Sequence, residues 1–305
     1  MKTTYHSHGK LLLTGEYAVL DGALSLGLPC KYGQGLTLHT AASPGLRWTS
    51  LDHEQNVWFE TTISPIELAE GISKPSATST TRETLLNILR EAQKLHPGFL
   101  KDATGYDVTT QLEFPREWGL GSSSTLLNNV AQWAGINPYS LLWNAFGGSG
   151  YDIACAQEHR PLLYQLKNSR PIVESVVFDP PFKEQLYFVY LNKKQNSREG
   201  IANYRSKTFD HASLVDAISK ITEAVVLCTE LKEFEILLLE HEQLLAKTLE
   251  LPRIQDQLFP DYTGCIKSLG AWGGDFILAT GDAATKGYFE KKGFPTVLSY
   301  TDIVL

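Results

Sequence analysis

Residues 118–126 read Trp-Gly-Leu-Gly-Ser-Ser-Ser-Thr-Leu, and an apolar pattern at helical spacing continues through Val130 and Trp133. The chemistry this stretch suits is the holding of an anion. Gly119 and Gly121 let the backbone on either side of Leu120 pass close to a charged group, and Ser122, Ser123 and Ser124 supply hydroxyls. A helix starting here directs N–H groups and the positive end of its dipole at the same point. A nucleoside triphosphate fits such a cradle. It is not a Walker A loop, because no lysine lies within it. The plainer reading is a serine-capped helix start, but two glycines followed by three successive serines exceed what a cap requires.

Three further segments carry candidate chemistry. Residues 9–22, GKLLLTGEYAVLDG, place Lys10 ahead of an apolar strand and Glu16-Tyr17 just behind it. A lysine there can stabilise charge on a transferring phosphoryl group, and the acid-aromatic pair can hold a polyhydroxylated ligand. Taken alone, Lys10 reads more simply as a solvated side chain and Glu16 as a turn acid. Residues 147–154, GGSGYDIA, deliver Asp152 at the start of an apolar helical run. That carboxylate can accept or orient the proton of an attacking hydroxyl, and on spacing alone a helix cap is an equal reading. Residues 268–276, SLGAWGGDF, form a glycine-rich turn before a strand, a weak signal for phosphate in isolation. His6 and His8 lack a third ligand in the sequence around them, which argues against a metal pair.

These residues need elements to position them. Residues 11–14, 35–40, 57–63, 108–112, 162–166, 173–178, 186–191, 275–279 and 296–300 read as strands, short and β-rich between turn residues. Residues 83–95, 214–227 and 234–249 have helical periodicity. Residues 74–81, small and polar, read as a loop, and Asp179-Pro180-Pro181 marks a boundary between two lobes.

The chain has 305 residues, 43% hydrophobic and 20% charged, more than one hydrophobic core usually supports. A formal net charge of -7 gives no basic patch for nucleic acid or an anionic membrane, so an anionic ligand needs local donors. Cys30, Cys155, Cys228 and Cys265 are widely spaced, which favours reduced thiols over a zinc site or a disulfide framework. No segment reaches the roughly 18 apolar residues of a membrane span, and a soluble cytoplasmic protein is expected.

In order, GKLLLTGEYAVLDG, WGLGSSST, GSGYDIA and KSLGAWGGDF make the chain resemble the GHMP kinase superfamily along nearly its whole length. Residues 150–154 also resemble the string that names the bacterial GYDIA subgroup. The resemblance implies an α+β fold of two lobes, with ATP and substrate between them. Residues 1–180 would form an N-terminal lobe like a domain of a small ribosomal protein, and residues 181–305 a ferredoxin-like lobe. It implies that Gly119, Leu120, Gly121, Ser122, Ser123 and Ser124 wrap the ATP phosphates, with the Ser123 hydroxyl on Mg2+. Lys10 and Asp152 become the catalytic residues. Gly270, Ala271, Gly273 and Gly274 close over the phosphates, while Glu16, Tyr17, Ser149 and Ser197 face the acceptor.

Within the superfamily the chain looks closest to phosphomevalonate kinases, through Gly-Glu-Tyr at 15–17 and Gly-Ser-x-x-Asp-Ile-Ala at 148–154. Mevalonate kinases use an additional glutamate after the glycine-serine loop, and residues 119–151 contain no acid. Two departures stand out. Trp272 replaces a small glycine, where its indole could cover a ligand, and residues 192–198, NKKQNSR, replace a Gly-Trp-rich loop. Lys193, Lys194 and Arg198 there can read an anionic acceptor or simply be solvated. The resemblance implies an ATP-dependent kinase of phosphomevalonate. Mevalonate kinase, diphosphomevalonate decarboxylase, a sugar or amino-alcohol kinase, and a non-catalytic nucleotide or metabolite sensor are the alternatives.

Overall fold

A computed structural model of the chain describes residues 2–69, 79–101 and 105–305. Residues 74–78 of the small polar stretch therefore lie outside the described residues. The chain divides into two compact units, each assembled from separate stretches. Met1–Gly9, Tyr32–Arg116 and Gly121–Gln157 form the first, and Lys10–Lys31, Glu117–Leu120 and Glu158–Leu305 the second.

In the first unit the strand Gly105–Leu112 pairs antiparallel with residues 34–41 of the long strand Ser25–Ala41, and parallel with Leu46–Leu51. Leu46–Leu51 in turn pairs antiparallel with Val57–Ile63. The sequence reading passes over Leu46–Leu51, although Leu46, Trp48 and Ser50 alternate inward along it. Helices Thr81–Leu95, Ser122–Ala134, Pro138–Ala145 and Tyr151–Gln157 complete the unit. Leu36, Trp48 and Val108 from the strands meet Leu85, Leu89, Leu127 and Val130 from the helices in one apolar core. Helix Thr81–Leu95 buries all five apolar residues that its periodicity selects, Leu85, Leu86, Ile88, Leu89 and Ala92. It begins two residues earlier than predicted because Thr80 and Glu83 form a reciprocal capping box.

The second unit holds the hairpin of Leu162–Lys167 and Arg170–Ser175, with Leu162–Tyr164 pairing residues 25–27. Residues 173–178 were expected as the second strand, but Asn168 and Ser169 both take left-handed φ values, +50° and +58°. A two-residue turn of that hand closes the hairpin early, so the strand starts at Arg170. A separate antiparallel sheet runs in the order Val297–Ser299, Leu186–Tyr190, Phe276–Thr280, Ile266–Ser268. Helices His211–Leu227 and Leu231–Leu249 belong to this unit. The mixed α+β class agrees with the expectation. Among the described residues none of the four cysteines is in a disulfide, and no helix is long and apolar enough to cross a membrane.

Polar contacts, not apolar ones alone, set the position of helix Ser122–Ala134. Ser7 Oγ donates to Asn129 Oδ1 at 2.7 Å, and Asn129 Nδ2 donates to the Gln34 carbonyl at 2.8 Å. Asn128 Nδ2 reaches Ser7 Oγ at 2.8 Å, and Thr125 Oγ1 donates to Gln34 Oε1 at 2.7 Å. Ser7, Gln34, Thr125, Asn128 and Asn129 are all buried, so each bond replaces one to water. Asn129→Ala leaves the Ser7 hydroxyl and the Gln34 carbonyl without this partner. A loss of roughly 2–3 kcal/mol in unfolding free energy is expected by urea titration, whereas Gln132→Ala on the exposed face should change it by less than about 0.5 kcal/mol.

Candidate active site

In the first unit, helix Ser122–Ala134 springs from Gly121, whose φ is +90° and which offers no side chain as a cap. Its first turn closes from the Thr125 N–H to the Gly121 carbonyl at 3.0 Å. The amides of Ser122, Ser123 and Ser124 thus sit at a helix start without a side-chain cap, where orphan donors and the helix dipole favour an anion. Ser123 is exposed, Ser122 is half-buried and Ser124 is buried. The Ser124 hydroxyl donates to Asp152 Oδ2.

Asp152 is the second residue of helix Tyr151–Gln157. The first-turn bonds of that helix run from Ile153 and Ala154 to the Gly150 carbonyl, and Asp152 Oδ1 accepts the Ile153 N–H at 3.1 Å. The carboxylate lies inside the first turn, with one oxygen on a backbone amide and the other on Ser124. Gly147, Gly148 and Gly150 have φ values of +78°, +102° and +95°, a path that only glycine follows without strain. Ser149, between them, is buried at 6% exposure.

In the second unit, Lys10 is held on the first half of the cradle by both its main chain and its side chain. Its N–H donates to the Leu120 carbonyl at 3.0 Å and its Nζ to the Gly119 carbonyl at 2.9 Å. Gly119 has a φ of +66°, and a Cβ there would stand 2.3 Å from Asp275 Cγ. The buried Asp275 accepts the Gln195 N–H at 3.1 Å, and its own N–H donates to the Lys193 carbonyl at 2.8 Å. Burial pushes its carboxyl upward, while the Gln195 N–H, Lys10 and Lys194 pull it back. The basic run 192–198 is therefore anchored by its backbone to the glycine-rich turn. Ser197 is exposed at the start of helix Ser197–Ser206, which Asn196 caps.

Gly270 and Gly273 bend that turn with φ values of +68° and +84°, and the Leu269 N–H closes its base on the Phe276 carbonyl at 3.1 Å. Ala271, Trp272 and Gly274 are buried. The Trp272 N–H donates to Tyr17 Oη at 2.9 Å and its indole N–H to the Pro252 carbonyl at 3.2 Å. Trp272 packs in an apolar cluster with Tyr17, Tyr204, Leu245 and Leu249. Its indole is core, not a cover for a ligand.

Glu16 and Tyr17, expected at the acceptor, are 2% and 7% exposed. Lys267 Nζ, itself fully buried, donates to Glu16 Oε1 at 2.5 Å and to the Ser268 carbonyl at 2.8 Å. His241 Nε2 accepts the Gly15 N–H at 2.9 Å and stands 3.3 Å from Glu16 Oε2. Glu242 Oε1 accepts the Ser268 N–H at 3.0 Å. Burial raises the Glu16 carboxyl, and Lys267 and the Gly270 N–H act the other way. Burial holds His241 well below its ordinary range and so keeps it neutral. Glu242, buried and close to Glu16, is pushed up to about 8.

No protein-family model matches the sequence, and no curated protein does. Among solved structures, mevalonate kinase of Methanococcus jannaschii matches 98% of the chain and 96% of its own length, with a TM-score of 0.71 and 14% identity. Streptococcus pneumoniae phosphomevalonate kinase in complex with phosphomevalonate and AMPPNP covers 97% of this chain and 99% of its own, with a TM-score of 0.70 and 15% identity. Lactococcus lactis galactokinase complexed with galactose covers 98% and 92%, with a TM-score of 0.68 and 12% identity. The chain has the GHMP kinase fold.

Sequence reasoning did not find Lys267, His241, Glu242 or the buried role of Asp275. A signal for two of them existed. On helix Leu231–Leu249 the buried positions are Phe234, Leu238, His241, Glu242, Leu245 and Leu249, so two ionisable residues interrupt an apolar stripe. Glu242 also gives a pH prediction. Its folded-state pKa, about 8, lies above the ordinary 4.5, so the stability it lends is complete below about pH 4.5 and is lost as pH rises through about 8. Neutral, buried His241 acts in the opposite sense as pH rises through about 6.5, so the contribution of Glu242 is read by difference: between pH 5 and pH 8 the urea midpoint of the unaltered chain should fall relative to that of Glu242→Gln, and an unchanged difference would contradict the assignment.

Proposed function

We propose that the chain is an ATP- and Mg2+-dependent kinase of small molecules, with phosphomevalonate as its acceptor. The observation that carries this reading is the Ser124–Asp152 hydrogen bond. It places a carboxylate beside a helix start that has glycines before it and no side-chain cap, in a chain with the GHMP kinase fold. Phosphoryl transfer asks for positioning and charge stabilisation more than for covalent chemistry. On this reading the amides of Ser122, Ser123 and Ser124, with Gly119, Leu120 and Gly121, receive the triphosphate. Lys10, fixed on the Gly119 carbonyl, stabilises charge as it builds on the transferring group. By the resemblance, the turn of Gly270, Ala271, Gly273 and Gly274 is also assigned to phosphate.

Asp152 orients the acceptor. An acceptor oxygen forms the new bond to the γ-phosphorus while the bond to the β,γ-bridging oxygen breaks and ADP leaves. An acceptor that is itself a phosphate needs no strong base, so an aspartate suffices. The exposed Ser123 hydroxyl suits Mg2+, which takes few protein ligands and completes its shell with phosphate oxygens and water. When bound, the ion neutralises charge on the β- and γ-phosphates. Ser149, Ser197 and the anchored run of Lys193 and Lys194 are assigned to acceptor selection. Residues 1–180 and 181–305 are assigned as the ATP-binding and ferredoxin-like lobes, in a soluble cytoplasmic protein.

The acceptor is tested by a panel of mevalonate, phosphomevalonate and galactose with released ADP as the readout, where phosphomevalonate is expected to give the highest kcat/KM. Asp152→Ala should lower turnover by roughly 10²–10⁴-fold while calorimetric ATP affinity stays within about threefold. Retained turnover would remove Asp152 from the mechanism. ATP binding with no turnover of any acceptor would favour a sensor.

A further inference from the structure

Glu16 and Tyr17 follow the strand Lys2–Thr14 after the single residue Gly15, and both side chains turn inward within the second unit. Tyr17 has a φ of +58° and a ψ of -46°, a backbone state costly for a residue with a Cβ and maintained only when its surroundings fix it. Those surroundings are specific. The Tyr17 ring stacks on Tyr204, with centroids 5.6 Å apart and planes at 19°. Its edge passes helix Ser197–Ser206 at Gly200, where a Cβ would lie 2.5 Å from Tyr17 Oη. Its hydroxyl receives the Trp272 N–H at 2.9 Å. Glu16 receives Lys267 Nζ, and that same ammonium holds the Ser268 carbonyl. The Ser268 N–H is taken by Glu242. The backbone from Ser268 to Trp272 is thus tied at several points to two consecutive residues of the first motif and to groups that touch them.

We propose that Glu16 and Tyr17 are positioning residues, which hold the backbone of the glycine-rich turn 270–274 from behind and do not touch the acceptor. The commitment of the Trp272 amide has a direct consequence. That N–H points to Tyr17 and is not offered to a phosphate, so Trp272 serves the turn as its anchor. The buried ion pair explains why the first motif carries a glutamate here. A neutral residue in its place would leave Lys267 charged and without its carboxylate in a fully buried site. The effect on nucleotide rests on the kinase reading, whereas the tie itself does not.

Amide hydrogen exchange of the full chain separates the two. Tyr17→Phe keeps the ring stack and removes only the acceptor of the Trp272 N–H. Exchange at residues 270–274 should rise about tenfold or more, as expected for the loss of one buried hydrogen bond, with helix Ser122–Ala134 unchanged. Unaltered exchange overturns the proposal. Gly200→Ala is the second variant. It should destabilise the chain despite the better helix propensity of alanine, and by less in the Tyr17→Phe background, where the colliding oxygen is gone. Equal losses in both backgrounds also overturn it. In the kinase assay Tyr17→Phe should raise the KM for ATP about tenfold with kcat within about threefold. Faster exchange with an unchanged KM for ATP keeps the tie and removes the turn from the phosphate site. If the unaltered chain binds no ATP, the kinase reading fails and the exchange result still decides the tie.

Discussion

Two opposite charges, Glu16 and Lys267, meet where neither reaches water, at 2% and 0% exposure. An ion pair so placed adds little net stability compared with apolar groups of the same shape, but losing one partner costs roughly 3–5 kcal/mol, since the other charge stays buried and unmatched. Around the pair, Ser268 supplies a carbonyl to Lys267 and an N–H to Glu242, and Gly15 supplies an N–H to His241. Each of these groups is buried and would otherwise demand a partner. The polar knot thereby dictates the course of two backbone segments, residues 15–17 and 267–272, and both belong to motifs with proposed chemical roles.

The first unit follows the same logic with neutral groups. Asn128, Asn129, Thr125, Ser7 and Gln34 interlock at the root of helix Ser122–Ala134. Apolar packing tolerates small shifts of a helix along its axis, whereas hydrogen bonds of fixed length and direction do not. On the proposed function an anion is held at the N-terminus of that helix, whose placement is set by these directional contacts. Gly121 keeps that end uncapped, and the Ser124–Asp152 bond brings a carboxylate to it.

Much of this was legible in the chain. Helix Thr81–Leu95 follows from its apolar spacing, and the strand Val57–Ile63 was read to the residue. Gly119, Gly121 and the glycine-rich turn before Phe276 read as places where the backbone takes an unusual path, and Gly119, Gly121, Gly270 and Gly273 have positive φ, whereas Gly274 does not. Leu46–Leu51 was passed over because in six residues the large apolar side chains Leu46, Trp48 and Leu51 do not keep a strict alternation, and its neighbours in the sheet supply the remainder. Trp272 was read as a possible cover for a ligand, since composition cannot say which side of a turn an indole takes; packing with Tyr17 and Tyr204 placed it inside.

By itself the sequence determined where glycines let the backbone bend, the apolar spacing that selects the buried face of helix Thr81–Leu95, and the order of four segments resembling a GHMP kinase. These are local properties, carried by residue type and by neighbours within a few positions. Only the tertiary structure decided which distant groups become partners. Ser124 meets Asp152 from 28 positions away, and Lys267 meets Glu16 from 251. The physical reason is desolvation. A glutamate is a solvated turn acid or a buried anchor according to whether a distant segment brings both a cover and a counter-charge, and no local pattern encodes that arrival.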